Sequence, residues 1–478
     1  MSTGDRFDVV IVGARCAGSP LATLLARSGL RVCLLDQARF PSDTPSTHAI
    51  QPAGVQILDV LGVAESLVGM VTPIERATIA LGESRIRFER ISAVLGAPML
   101  NVRRVRLDAL LLEAAAAAGA EIRTGTRVIG LLEEQGRVCG VRTKAEVVRA
   151  SLVVGADGVR SSVAHMVGAE QYAPTSPGRV FVWGYFEGAD TPADRVWLGK
   201  IGDHGFLGSP TDSGLFMAAV APSIQHQHTV LADPAASHRA GLAHWPELAD
   251  GLAGARRVGP MRVMPRWHGY FRRSAGPGWV LVGDAGHFKD PTAGQGISDA
   301  LRQISALAPA ISNNVGDPAR LDQGMREWWS GRDRDAWQMY WFAHDMGAPG
   351  PTPRLVQHIQ SRIAADPRLS AGLAQVLNHQ RAPSQLITPG LAARTAATAL
   401  IIEPARADLL RDIGALGRDQ LRRLRQRRYA SRARNSPLST TKPPTPTPAI
   451  TAGPHETENQ QLMIRTPASG KRSEPPYG

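Results

Sequence analysis

Apolar positions run unbroken through Val9-Val10-Ile11-Val12, stop at Gly13, and resume at helical spacing from Leu21. An unbroken β-branched run of that length predicts a strand covered on both faces, as in a parallel sheet. Gly29 stops the helix, and Arg31-Val32-Cys33-Leu34-Leu35-Asp36 predicts a second buried strand. The chain therefore opens as strand, turn, helix, strand. Residues 107–118, rich in Ala and Leu, predict a helix ended by Gly119, with Glu121-Ile122-Arg123 strand-like behind it. Residues 127–153 alternate in the manner of a small antiparallel meander and end in Leu152-Val153-Val154-Gly155. Strand-like pieces at 180–186, 196–200, 214–220 and 261–270, separated by Gly, Pro and Asp, predict a β-rich second layer. Trp279-Val280-Leu281-Val282 returns to a buried strand, and residues 294–312 and much of 320–430 read as helical, with no internal repeat.

Composition narrows the classes. A chain of 478 residues has room for two or three domains. No stretch reaches the roughly 18 uninterrupted apolar residues of a spanning helix. The first residues run into a strand without the basic-then-apolar stretch of a secretory signal. Cys16, Cys33 and Cys139 have neither C-x-x-C nor zinc-ligand spacing, which fits a reducing cytoplasm; no metal site is expected. The net charge is +12, but residues 411–478 hold 13 basic and 5 acidic residues, leaving +4 for residues 1–410. A nearly neutral body argues against a nucleic-acid binder. From Ser431 onward 9 of 48 residues are Pro and 12 are Ser or Thr, which predicts a disordered tail. The arginine-rich run 422–428 reads either as a weak peripheral contact for anionic lipid or as a solvated helix end; its apolar partners are few and favour the second.

The first candidate chemistry lies in the turn Gly13-Ala14-Arg15-Cys16-Ala17-Gly18, a G-x-x-x-x-G without the middle glycine of G-x-G-x-x-G. Gly13 serves the sharp bend and Gly18 the close packing of helix on strand, while the helix start aims free N–H groups at a pyrophosphate. Arg15 stands where backbone normally approaches the phosphates, so either the approach is looser or its guanidinium contacts an oxygen. Asp36, 23 residues after Gly13, suits a carboxylate that accepts from ribose hydroxyls.

Two further motifs follow in order: Val153-Val154-Gly155-Ala156-Asp157-Gly158 and Val280-Leu281-Val282-Gly283-Asp284, the latter continuing to Pro291 and Gly294-Gln295-Gly296. With the turn at Gly13, this series resembles the single-component FAD-dependent aromatic hydroxylases, the para-hydroxybenzoate hydroxylase-like superfamily that also holds geranylgeranyl reductases and flavin halogenases. The resemblance covers residues 7–310. It implies an α/β fold in which a Rossmann-like FAD-binding domain (1–177 and 276–315) is interleaved with a β-rich substrate domain (178–275), followed by C-terminal helices (316–430) and the tail (431–478). It implies Asp284 at the ribityl chain, the Gly294–Gly296 helix start at the flavin ring, Asp157 and Gly158 between pyrophosphate and nicotinamide, and Arg104 of an R-x-x-L-D helix entry at the phosphates. A helix opening there stabilises anionic reduced flavin.

The activity implied is a cytoplasmic monooxygenase that uses NAD(P)H as transient reductant and O2. It would oxygenate a small aromatic or polyketide-like substrate through a flavin C4a-hydroperoxide. The alternatives are a reductase or dehydrogenase of the geranylgeranyl reductase type acting on a lipid or secondary metabolite, and a flavin-free scaffold. Absence of a W-x-W-x-I-P segment disfavours a halogenase. His48, in a segment unlike the usual hydroxylase sequence, is the candidate catalytic group: an imidazole with an ordinary pKa near 6.5 passes a proton either way at neutral pH. Packing or turn capping is its competing role, and His287 and Lys289 carry the same ambiguity. The aromatic stretch 328–342 reads as helix-packing core in preference to a pocket wall.

Overall fold

The computed structural model describes residues 6–435. The tail expected from Ser431 lies outside the described residues except for its first five, which continue the helix Arg406–Asn435.

The opening pattern folds as read. Parallel strands stand in the order Trp279–Leu281, Val147–Gly155, Arg6–Val12, Val32–Asp36, Glu121–Thr124. Val9, Val10 and Ile11 are fully buried because both faces of the sheet are covered, which is why their run does not alternate. The meander is a hairpin, Val128–Glu134 with Arg137–Thr143, laid antiparallel on the first half of Val147–Gly155.

A second sheet runs Arg256–Met264, Phe181–Glu187, Leu215–Ala221, His204–Pro210, Arg195–Ile201, Arg76–Leu81, Ser84–Phe88. Its last two strands come from inside the segment 1–177, joined through a parallel pairing of Arg195–Ile201 with Arg76–Leu81. Local patterning marks such a hairpin as strand but carries nothing about which sheet it joins. Alternation splits the strand Phe181–Glu187 between two cores. Phe181, Trp183 and Tyr185 face the protein centre, while Val182 packs with Trp245 and Leu248 of a helical cap. That cap, Gln227–Ala232, Pro234–Leu242 and Pro246–Gly251, is helical where the sequence reading placed only β structure. Asp233 starts one of these helices by accepting from Ala236 N at 2.8 Å, with Pro234 in the first position.

Asp-Pro and Thr-Pro pairs set the later helices too. Asp317, Asp366 and Thr388 cap Pro318–Gly347, Pro367–Leu377 and Pro389–Ile402. The aromatic stretch is core, as read: Trp337, Tyr340 and Trp341 pack on Ala173 and Phe271.

Candidate active site

The registers Val12 with Gly155 and Gly155 with Leu281 bring three strand ends to one edge, so the Gly13, Asp157 and Asp284 motifs share a cleft. At Gly13, φ is +105° and a Cβ would stand 2.4 Å from the Ala156 carbonyl oxygen; at Gly18 it would stand 1.8 Å from the Gly13 oxygen. Only hydrogen fits at either place. The N–H groups of Arg15, Cys16 and Ala17 donate to no described residue, leaving a row of free donors before the helix Gly18–Arg27. The Ala14 N–H is not among them: it donates to Asp36 Oδ2 at 2.7 Å, while Asp36 Oδ1 accepts from Ala38 N at 2.7 Å. Asp36 therefore clamps the turn to the end of its strand, and only its remaining lone pairs are left for a hydroxyl.

The Arg15 side chain is engaged within the protein. Its guanidinium donates to Asp108 Oδ2 at 2.8 Å and Ser42 Oγ at 2.9 Å and lies over the Phe40 ring, so it offers no free charge to a phosphate. The reason is Asp108, fully buried on the helix Arg104–Ala117, whose charge needs compensation. Arg104 supplies the rest through Nε to Asp108 Oδ1 at 2.9 Å, and Cys16 Sγ donates to the same oxygen at 3.3 Å. This hub orients Arg104, which lies close enough to Asp284 to lower the pKa of that carboxyl. Sequence reasoning quoted Asp108 only as part of a helix-entry motif and missed its central place.

Asp157 Oδ2 accepts from Ser162 N at 2.6 Å, Ser162 Oγ at 2.8 Å and Val163 N at 3.2 Å, which starts the short helix Ser162–Met166. Gly158 has φ +76° with open space where a Cβ would stand. This pair builds a turn, and the buried Asp157 Oδ1 is left without a partner. Asp284 behaves differently. Its carboxylate makes no hydrogen bond to a described residue, and burial raises its pKa to about 6 although Arg104 and Lys289 pull it down. Its backbone carbonyl is fixed by Tyr270 Oη at 2.7 Å.

Pro291–Ala293 forms a single tight turn, Gly294 takes φ +62°, and Gln295 immediately precedes the helix Gly296–Ser312 without a side-chain capping bond. Gln295 Nε2 donates to Leu377 O at 2.6 Å, leaving its buried Oε1 unpartnered, and a Cβ on Gly296 would meet only open space. Below this turn Lys289 Nζ pairs with Asp299 at 2.6 Å, and His379 Nε2 lies 2.8 Å from the other Asp299 oxygen. Lys289 is thus part of a buried ion cluster, and His287 is a buried ring 4.5 Å from Phe271. Between the turn and the second sheet lies a narrow cavity of about 20 Å³. Its walls include Phe181, Val196, Leu198, Leu207 and Ala221 from the sheet and Pro291–Gly294 from the turn, with no charged side chain.

His48 is buried between two residues that line this cavity, Thr47 and Ala49, and takes a left-handed φ of +59°. Its Nε2 shares a hydrogen bond with Tyr185 Oη, and its Nδ1 has no partner. Burial and the cations Arg104, Arg103 and Arg262 lower its pKa to about 3. The imidazole is therefore neutral at pH 7, unlike the sequence expectation of a group titrating there. Tyr185 went unnoticed in the sequence, where nothing distinguishes it from other aromatic strand residues.

Glycine-only contacts, free helix-start amides, an unpartnered Asp284 carboxylate and an unpartnered Gln295 Oε1 together fit a flavin dinucleotide. Comparison with known proteins agrees. The chain is 27% identical over 330 residues to 6-methylpretetramide 4-monooxygenase of Streptomyces rimosus, covering 65% of this chain and 77% of that protein. It is 29% identical over 329 residues to menaquinone reductase of Mycolicibacterium smegmatis, with the same coverages. The structure of the flavin-dependent brominase Bmp2 superimposes with a TM-score of 0.68 at 20% identity, over 82% of this chain and 98% of that one, a likeness of fold. With residues 6–339 matching the FAD binding domain profile FAD_binding_3, this chain belongs to that family and is an FAD-dependent oxidoreductase.

Proposed function

We propose that the protein is a monooxygenase that uses NAD(P)H and O2 to oxygenate an uncharged, ring-containing substrate of aromatic or polyketide type. The observation that carries this reading is the cavity beside the Pro291–Gly294 turn, apolar on the sheet side and free of charged side chains. Burying a carboxylate or phosphate against such walls costs several kcal/mol, roughly, without a paired cation. Neutral rings enter it at no such cost. The relative from Streptomyces rimosus, named for a 4-monooxygenase activity on 6-methylpretetramide, supports the same class.

In this reading the amides of Arg15, Cys16 and Ala17 and the Arg104 guanidinium hold the pyrophosphate, and Asp36 and Asp284 accept from the sugar-like hydroxyls. Gly294, Gln295 and Gly296 leave room for the ring system. The chemistry the bound cofactor supplies is two-electron transfer from NAD(P)H and activation of O2. The protein excludes water with the apolar sheet face, aided by Phe181 and Leu207. His48, neutral and bonded through Nε2 to Tyr185 Oη, moves a proton at its free Nδ1: that nitrogen takes it from a substrate hydroxyl and returns it to the product. Asp157 and Gly158 shape the neighbouring turn against which the nicotinamide cofactor docks.

The test follows NAD(P)H oxidation with neutral polycyclic phenols and with benzoates, in air and under argon. Oxygen-dependent product from the neutral ring series supports the reading, and preference for benzoates overturns it. A second reading, a reductase of a lipid quinone or related metabolite, is favoured by the 29% identity to menaquinone reductase. Turnover that continues under argon selects it.

A further inference from the structure

The last helix turns one face to the protein and another to solvent. Leu409 is fully buried, and Ile413 and Leu416 pack on the central core beside it. Arg423 completes this inner face: it pairs with Asp345 and Asp419 and lies 4.6 Å over the Trp341 ring. These contacts fix the rotation of Arg406–Asn435 about its axis.

The exposed stripe beside this inner face, about 100° around the helix, is apolar. Leu410, Leu421 and Leu424 are 57%, 58% and 52% exposed, and they fall within about 60° of one another on the helix, over a length of about 20 Å. Ile401 and Ile402, 75% and 62% exposed, continue the patch from the end of Pro389–Ile402. Arg406, whose guanidinium bonds to the Ile401 carbonyl, ties the two segments together. A row of exposed arginines flanks the leucines. Arg418, Arg425 and Arg428 make no ion pair to a described residue, whereas Arg411 and Arg422 are matched by Asp408 and Asp419. Residues 406–428 hold eight arginines against three aspartates.

Exposed leucines and isoleucines bordered by uncompensated arginines complement a surface that is apolar in depth and anionic at its rim. We infer that this face docks the protein peripherally on an anionic lipid bilayer. The leucines enter the acyl boundary and Arg418, Arg425 and Arg428 contact the headgroups. A second copy of the chain is the poorer occupant, because it would set the two arginine rows against each other. Among the described residues no helix is long and apolar enough to cross a membrane, so contact by this face is a surface contact.

The experiment is flotation of the full-length, FAD-loaded protein with vesicles of phosphatidylcholine containing phosphatidylglycerol, against pure phosphatidylcholine. Binding to the anionic vesicles that weakens with added salt is expected. The double variants Leu421→Ser/Leu424→Ser and Arg418→Glu/Arg425→Glu should each lower the vesicle-bound fraction roughly tenfold or more. Unchanged flavin absorbance and circular dichroism in both variants establish that the fold is intact. Equal binding to neutral vesicles, no binding at low salt, or full binding by both double variants overturns the inference. So does light scattering that finds a dimer which the leucine substitutions dissociate.

Discussion

Replacing Asp284 by Asn tests whether a group arranged for a ligand burdens the protein that lacks one. The carboxyl is half-buried at the strand tip without a hydrogen-bond partner among the described residues, and its pKa rises from 3.8 to about 6. A carboxyl raised in the folded state adds stability that is fully present below pH 3.8 and is lost as the pH climbs through about 6. At pH 8 the gap corresponds to about 3 kcal/mol, reduced by solvent screening to about 1–3 kcal/mol. The amide escapes this cost, so the cofactor-free Asp284→Asn protein should melt a few degrees above the cofactor-free parent at pH 8. The advantage should shrink toward zero as the pH approaches 4. FAD affinity should move the other way. Loss of charge-assisted bonds to hydroxyls, worth about 1.5–3 kcal/mol, weakens binding about 10–100-fold. Thermal melts followed by tryptophan fluorescence across pH 5–8 and flavin titrations of both proteins provide the comparison. An Asn variant that is less stable than the parent at pH 8, or that binds FAD as tightly, would refute the argument.

Other substitutions probe the rest of the site. Gly18→Ala drives a methyl group into the Gly13 carbonyl and should abolish soluble, flavin-loaded protein, read as absorbance near the yellow flavin band after purification. Arg104→Met should weaken FAD binding about 10–100-fold, whereas Arg15→Met, which removes only a support of Asp108, should cost several-fold less. Similar losses for the two would contradict the orientation given to Arg15. His48→Phe and Tyr185→Phe should leave FAD binding unchanged and lower kcat by about 100-fold or more if the pair moves the substrate proton. Because His48 has a pKa of about 3, loss of its neutral form should lower kcat only as the pH falls toward 3, and a break near 6.5 would show a different histidine at work.

Much of this was legible in the chain because it is local. The unbroken run Val9–Val12, the turn from Gly13 to Gly18 and the acid at Asp36 are neighbours in sequence, and sterics and backbone bonding between them dictate strand, bend and helix. Three such strand ends in order were enough to expect a shared cleft, since parallel strands in one sheet end on one edge. What the tertiary structure decided concerns partners far apart along the chain. Whether the Arg15 guanidinium faced a phosphate depended on Asp108, 93 residues away, which buries its charge under the turn and claims the arginine. The pKa of His48 depended on its burial and on arginines from two other segments, because desolvation and Coulomb fields act through space. The hairpin Arg76–Phe88 joined the second sheet for the same reason: strand propensity is written in a few residues, but the edge a strand pairs with is chosen by everything that packs around it.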